Sequence, residues 1–346
     1  MSELRQDPST RDWVVIAPER GLRPHTGVQP EAGPVRDLDL ACPFCPGHEA
    51  ETPPEVWRLP PEPTEPWRVR VVPNRFPMLA PDGSARRQVS PDGFVRMPGI
   101  GRHEVVVESP DHSADLARAD DASVLAVLEA YRARYRLLRA EGAGVILIFR
   151  NHGARAGTSI SHPHSQIVSA PVVPIQVRHR FDVAMQHYDD LGTCLYTDVL
   201  ERELHDGRRV VLETPAFVAF QPFAAVAPFE TWIMPRASQP AFGDAQDSAL
   251  EGLAPVLRTV LGALADVLDD PDYNAIIQSA PPGDESREYF VWHLRIVPRL
   301  AIPAGFELGS GMAINPTLPE ETADALRRAV QEQAGRGGPV TTARDG

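Results

Sequence analysis

Residues 162–166 read His-Pro-His-Ser-Gln, and Cys42 and Cys45 enclose Pro43 and Phe44 in a C-x2-C turn. Side chains of these types can hold a metal ion, and an imidazole can also attack an electrophile. Two thiolates at C-x2-C spacing can share one zinc ion, and two further ligands would close a tetrahedral structural site. His48, His103, His112, His162 and His164 are the candidates. The third cysteine, Cys194, stands apart, so the set is a poor disulfide framework and a better metal half-site. On an extended strand, alternation turns His162, His164 and Gln166 to one face. Either both histidines serve a second metal, or His162 joins the cysteines and leaves His164 free to attack phosphorus; the second reading is preferred. Gly153, Gly157, Thr158 and Ser159 form a loop whose N–H and hydroxyl groups suit a phosphate. Arg20, Arg23, Arg75, Arg150 and Arg155 fall beside predicted strand ends, where planar guanidinium groups could clamp a diphosphate.

The elements that must position these residues are legible from periodicity. Residues 12–18, 67–74, 102–109 and 144–151 are rich in β-branched residues and read as strands, and 164–171 returns as another. Val124, Leu128, Tyr131, Tyr135 and Leu138 recur at helical spacing from about Asp121. The second half repeats this order. Residues 208–213, 217–222 and 229–235 are predicted strands. A helix follows, carrying Leu250, Leu253, Leu257, Leu261, Leu264 and Leu268, with Pro255 expected to start or kink it. Residues 273–279 and 289–298 repeat the strand pair, and a closing helix covers 319–334. This is an internal duplication in an α+β chain, with the halves meeting near residues 175–205. The His-x-His of the first half becomes His293-Leu-Arg295 in the second, so chemistry is expected in the first half.

Composition removes several classes. A formal net charge of -13 is wrong for a nucleic-acid binder, which needs a basic surface to displace counterions. No stretch of 18 or more apolar residues is present, so no membrane span is expected. The polar start, MSELRQDPSTRDW, lacks the apolar run of a secretory signal, and a cytoplasmic location is the expectation. The 36 prolines imply many loops between short elements.

WVVIAPERGLRP, CPFC, PNRFP, ESPDHS, FRNHGARAGTSISHPHSQI and PFETWIMP occur in that order across nearly the whole chain. Together they resemble the galactose-1-phosphate uridylyltransferase family, the nucleotidyltransferase branch of the histidine triad superfamily. The resemblance implies a duplicated histidine-triad-like fold of two antiparallel-sheet and helix repeats. They would span 1–178, with zinc and the catalytic histidine, and 179–336, with a flexible tail at 337–346. It implies one structural zinc on Cys42, Cys45, His112 and His162, with His164 as nucleophile and Gln166 holding the phosphoryl oxygens. It places Asn151, Ser159, Arg20 and Arg23 at the phosphates, Asn74 and Phe76 beside base and ribose, and Phe306 and Glu307 at the sugar.

The activity so implied is transfer of a nucleoside monophosphate between UDP-glucose and galactose 1-phosphate through a covalent nucleotidyl-histidine, in a homodimer. Three readings compete with it: an ADP-glucose phosphorylase-like enzyme with inorganic phosphate as acceptor, a dinucleoside-polyphosphate phosphorylase, and a zinc-stabilised binding module without catalysis. A metal-dependent hydrolase would want a carboxylate ligand, and residues 153–166 contain none. Because His293-Leu-Arg295 replaces a histidine pair, no second metal site is expected.

Overall fold

The computed structural model describes residues 2–22 and 41–337; Arg23 and the tail from 338 lie outside the described residues. From the N-terminus, β1 (Glu3–Gln6) and β2 (Trp13–Ile16) pair as an antiparallel hairpin. β3 (Trp57–Leu59), β4 (Val69–Pro73), a small hairpin of β5 (Gln88–Val89) and β6 (Val95–Arg96), and β7 (Arg102–Val107) follow. Then come α1 (Asp121–Ala140), β8 (Val145–His152), β9 (His164–Ala170), α2 (Ile175–Leu191) and α3 (Leu195–Asp206). The second half contains β10 (Val210–Glu213), β11 (Phe217–Phe220), β12 (Thr231–Pro235), α4 (Asp247–Leu268), β13 (Tyr273–Gln278) and β14 (His293–Pro298). α5 (Gly305–Ser310), β15 (Ile314–Asn315) and α6 (Pro319–Gly337) close the chain.

Ten strands make one sheet in the order β10-β11-β12-β14-β13-β8-β9-β7-β4-β3. Each half contributes five strands in the same relative order, with α1 between β7 and β8 and α4 between β12 and β13. The units join where β8 runs antiparallel to β13, with Asn151 opposite Asn274. The predicted duplication is therefore present. Its sequence overlay needs one correction at the histidines. In the sheet register His164 opens β9 as His293 opens β14, so Arg295 is the counterpart of Gln166. The histidine retained in the second half matches His164.

α1 forms because Asp120 caps it, accepting from Ser123 N at 2.7 Å, and because Val124, Val127, Leu128, Tyr131, Tyr135 and Leu138 fill one buried stripe. α4 runs unbroken through Pro255. An interior proline costs about 3 kcal/mol, and the leucine stripe of this helix, each side chain worth about 1.5–3 kcal/mol when buried, outweighs it. α4 is also long and apolar enough to cross a membrane, with a mean hydropathy of 1.3, but its apolar residues are buried against α1, α6 and the sheet.

Both long helices cover one face of the sheet. The opposite face differs between the halves. In the second half α2 and α3 close over it with Phe181, Tyr196, Phe290 and Trp232. In the first half, among the described residues, Cys42, Phe44, Cys45 and Trp67 pack there on Val72, Val105 and Val107, with Ile160 beside them. That difference leaves room for a site above β7 and β9.

Under β9, on the helix side, lies a buried polar cluster. Arg150 Nε is 3.0 Å from Glu108 Oε2, and Ser165, Tyr131 and Tyr273 complete their hydrogen bonds. Arg150 thus points away from the proposed diphosphate clamp, into an ion pair beneath the sheet. Removing one partner strands the other charge, so Arg150→Met is expected to cost about 3–5 kcal/mol in denaturant unfolding. Arg150→Met combined with Glu108→Leu should recover most of that loss.

Candidate functional site

The turn at Cys42–Cys45 is tied by Cys45 N to Cys42 O at 3.4 Å, and Phe44 N reaches Cys42 Sγ at 3.4 Å. His112 comes from the loop after β7 and His162 from the residue pair preceding β9. The four donor atoms of Cys42, Cys45, His112 and His162 lie within 4.8 Å of one another. Cys45 Sγ is 3.4 Å from His112 Nδ1 and 3.6 Å from His162 Nδ1. His162 Nε2 sits 2.8 Å from Ser109 O, and a carbonyl only accepts, so this nitrogen carries the proton and Nδ1 offers its lone pair to the thiols. His112 Nε2 is held by Ser161 Oγ at 2.9 Å. Two sulfur and two imidazole donors, oriented from behind, fit a single four-coordinate cation with no open position. The other candidates fall elsewhere: His48 Nδ1 bonds Cys42 O at 2.7 Å, while His103 and His164 stand over the neighbouring strands.

His164 is the first residue of β9. Its Nδ1 is 2.8 Å from His162 O, so Nδ1 carries the proton and Nε2 the lone pair. The Phe44 ring tilts against it with centroids 5.4 Å apart. Burial pushes its pKa below the ordinary histidine value, which keeps the imidazole neutral near pH 7. A neutral imidazole with a fixed tautomer is a competent nucleophile, and 8% residual exposure leaves it reachable.

Gln166, two residues on and on the same face, is held through Oε1 by His103 Nε2 at 2.7 Å. Asn74 follows β4; its Oδ1 accepts from Phe76 N at 2.8 Å and its Nδ2 abuts His103 Nε2 at 3.1 Å. Phe76 itself is exposed, as is Ser159 on the loop after β8. Asn151 lies on β8 on the His164 face, where Asn274 Nδ2 donates to its Oδ1 at 2.9 Å and to Ala156 O at 2.9 Å. One β13 side chain thereby braces both Asn151 and the glycine-rich loop. Gly153 must stay a glycine there, since its φ is +81° and an added Cβ would meet the Asp272 carboxylate.

The structure therefore gathers His164, Gln166, Asn74 and Asn151 around one face. It leaves Arg20 exposed on the turn Pro18–Leu22 and Phe306 exposed on α5, where the half-buried Glu307 caps Ala304 N at 3.1 Å. Sequence reasoning missed His103 as a neighbour of Gln166, having weighed it as a ligand, and gave no signal for Asn274.

The counterpart in the second half is closed. His293 Nδ1 bonds Val291 O at 3.0 Å as His164 bonds His162, but Trp232 stacks on the ring at 4.6 Å and Tyr196 and Phe290 crowd it. Burial pushes its pKa down to about 3. Where His103 meets Gln166, Glu230 meets Arg295 at 2.6 Å. Among the described residues a second donor group, Asp115, His152 and Asp270, lies elsewhere. There His152 Nε2 is already bonded to Asp270 at 3.1 Å.

Comparison with known proteins agrees with this geometry. Residues 1–174 match the family model of the galactose-1-phosphate uridyl transferase N-terminal domain. An ADP-glucose phosphorylase from Arabidopsis thaliana is 35% identical over 329 residues, 94% of this chain and 92% of its own length. Its crystal structure with bound ADP-glucose superposes with a TM-score of 0.82, covering 94% of this chain and 98% of that one. A galactose-1-phosphate uridylyltransferase from Thermotoga maritima is 28% identical over 341 residues, 96% of this chain and all of that protein. A duplicated sheet with one open and one closed histidine site, matched along nearly its full length by such relatives, places the chain in the galactose-1-phosphate uridylyltransferase family of nucleotidyltransferases.

Proposed function

We propose that this protein transfers a nucleoside monophosphate from a nucleoside diphosphate sugar through a covalent intermediate on His164. The observation that carries the reading is the His164 imidazole, neutral and held by His162 O with Nε2 free. Nε2 attacks the α-phosphorus, an N–P bond forms, the P–O bond to the sugar phosphate breaks, and sugar 1-phosphate leaves as a stable anion. No strong general acid is needed, because the leaving group is already weakly basic. An acceptor phosphate oxygen then attacks the same phosphorus and the N–P bond breaks. Nδ1 keeps its proton throughout, donated to the His162 carbonyl oxygen, which stabilises the charge that the ring gains. Gln166 and Asn74 present amide donors to the phosphoryl and ribose oxygens, with Phe76 beside the base. Asn151 and Ser159 meet the phosphates, joined by Arg20 and Arg23.

The nucleotide is read as adenosine and the acceptor as inorganic phosphate, on the strength of 35% identity to the phosphorylase against 28% to the uridylyltransferase. UDP-glucose with galactose 1-phosphate is the second reading. Zinc is the proposed occupant of the Cys42, Cys45, His112 and His162 cluster; it would tie the cysteine turn to the start of β9 without touching substrate. A homodimer is part of the same reading, with Phe306 and Leu308 of α5 exposed for contact with a second copy.

Protein incubated separately with ADP-glucose and UDP-glucose, each labelled at the α-phosphorus, should take acid-labile, base-stable label faster from ADP-glucose. Inorganic phosphate should discharge that label as ADP. Faster labelling from UDP-glucose, with discharge by a hexose 1-phosphate, would replace the first reading by the second. Label from neither would sink the covalent step for these donors.

A further inference from the structure

His103 is 7% exposed at the start of β7, and its ring meets three residues, Asn74 and Met78 of the segment after β4 and Gln166 of β9. Nδ1 lies 3.2 Å from the backbone N–H of Met78, which can only donate, so Nδ1 is the unprotonated nitrogen. The proton of the neutral ring is therefore on Nε2, and Gln166 Oε1 accepts it at 2.7 Å. An amide has one acceptor end and one donor end. With Oε1 turned to His103, the Gln166 Nε2 group has no hydrogen-bond partner among the described residues. Asn74 is set by its own loop, its Oδ1 accepting from Phe76 N at 2.8 Å, while its Nδ2, a donor 3.1 Å from the protonated Nε2, makes no hydrogen bond to it in this tautomer. Among the described residues no other hydrogen bond selects the Gln166 orientation. In the closed second half the corresponding pair is Glu230 and Arg295, an ion pair that offers no free amide.

We propose that His103 is a positioning residue that locks the Gln166 amide with its N–H2 group toward the phosphoryl oxygens on His164. This rests on the reading of His164 as nucleophile and Gln166 as phosphoryl holder. Without the Nε2–H donor the Gln166 amide is free to present its oxygen to an anionic phosphoryl group, which repels it. The loss then falls on the transfer step more than on donor binding.

The test is single-turnover labelling of His164 by α-labelled nucleotide sugar, with donor affinity measured in parallel, on His103→Phe, His103→Gln, Gln166→Met and His103→Phe/Gln166→Met. His103→Phe should slow nucleotidylation by about tenfold or more, as loss of a transition-state donor does, with donor affinity changed by less than about threefold. His103→Gln, which can still donate, should recover most of the rate. In the Gln166→Met background His103→Phe should change the rate by less than about twofold, because the group it acts through is gone. Additive losses in the double variant, or a loss confined to donor affinity, would overturn the assignment. Should Gln166→Met leave the wild-type rate unchanged, the underlying reading of Gln166 fails instead, and the two failures are distinct.

Discussion

His164→Ala is expected to lower nucleotidyl transfer by about 10^4-fold or more and to abolish covalent label. Removing a nucleophile eliminates the two-step route altogether, and losses of this order are usual when one is deleted. Donor affinity should change little, because the proposed mechanism gives the phosphates and base to other groups. The fold should also survive. His164 touches Phe44 at its ring and His162 through one hydrogen bond, and neither anchors a strand. Melting midpoint and metal content measured beside the rate separate lost chemistry from lost structure. Undiminished label on His164→Ala would move the nucleophile to another residue. His293 is a poor replacement, since Trp232 stacks on its ring and Tyr196 and Phe290 enclose it.

Much of the candidate site's geometry is legible in the sequence because it is written in short spacings. Cys42 and Cys45 are three residues apart, and His162, His164 and Gln166 alternate on one strand face, so local geometry assigns their directions. The strands themselves follow from β-branched runs, and α1 and α4 from their apolar stripes. The partners across the sheet are another matter. Asn274 reaches Asn151 from 123 residues away, and only the pairing of β8 with β13 brings them together. No local pattern encodes that. Helices α2 and α3 fill the region that reads as a junction between halves, because α2 buries only Phe181, Val183 and Ala184 and lacks a long apolar stripe. Arg150 misleads for the same reason as Asn274. A charge beside a glycine-rich loop suggests a phosphate clamp, while its strand parity sends it to Glu108 on the helix side. Parity also decides which histidine persists in the second half, and an overlay of letters alone shifts it by one alternation.

Cys42→Ser should reduce bound metal from about one ion per chain to near zero and lower the melting midpoint by about 5–10 °C. Cys194→Ser, a thiol outside the cluster, should change neither. The larger expected consequence is for transfer, although in the proposed mechanism no cluster residue meets the phosphorus. His162 contributes a ring to the cluster and a backbone carbonyl to His164, so one residue links the four-donor cluster to the His164 tautomer. The turn that carries Cys42 also carries Phe44, whose ring walls the His164 imidazole. When a ligand is lost, Phe44 and the Pro163 segment lose their tether, and His164 Nδ1 competes for water instead of a fixed acceptor. Transfer rate should therefore fall with metal content, and a strong chelator applied to the wild type should produce the same fall without altering any side chain. A Cys42→Ser protein that keeps its metal and its midpoint would show that the four donors are a hydrogen-bonded cluster only. One that loses the metal yet keeps full transfer rate would show that the His162 carbonyl holds its place through β9 alone.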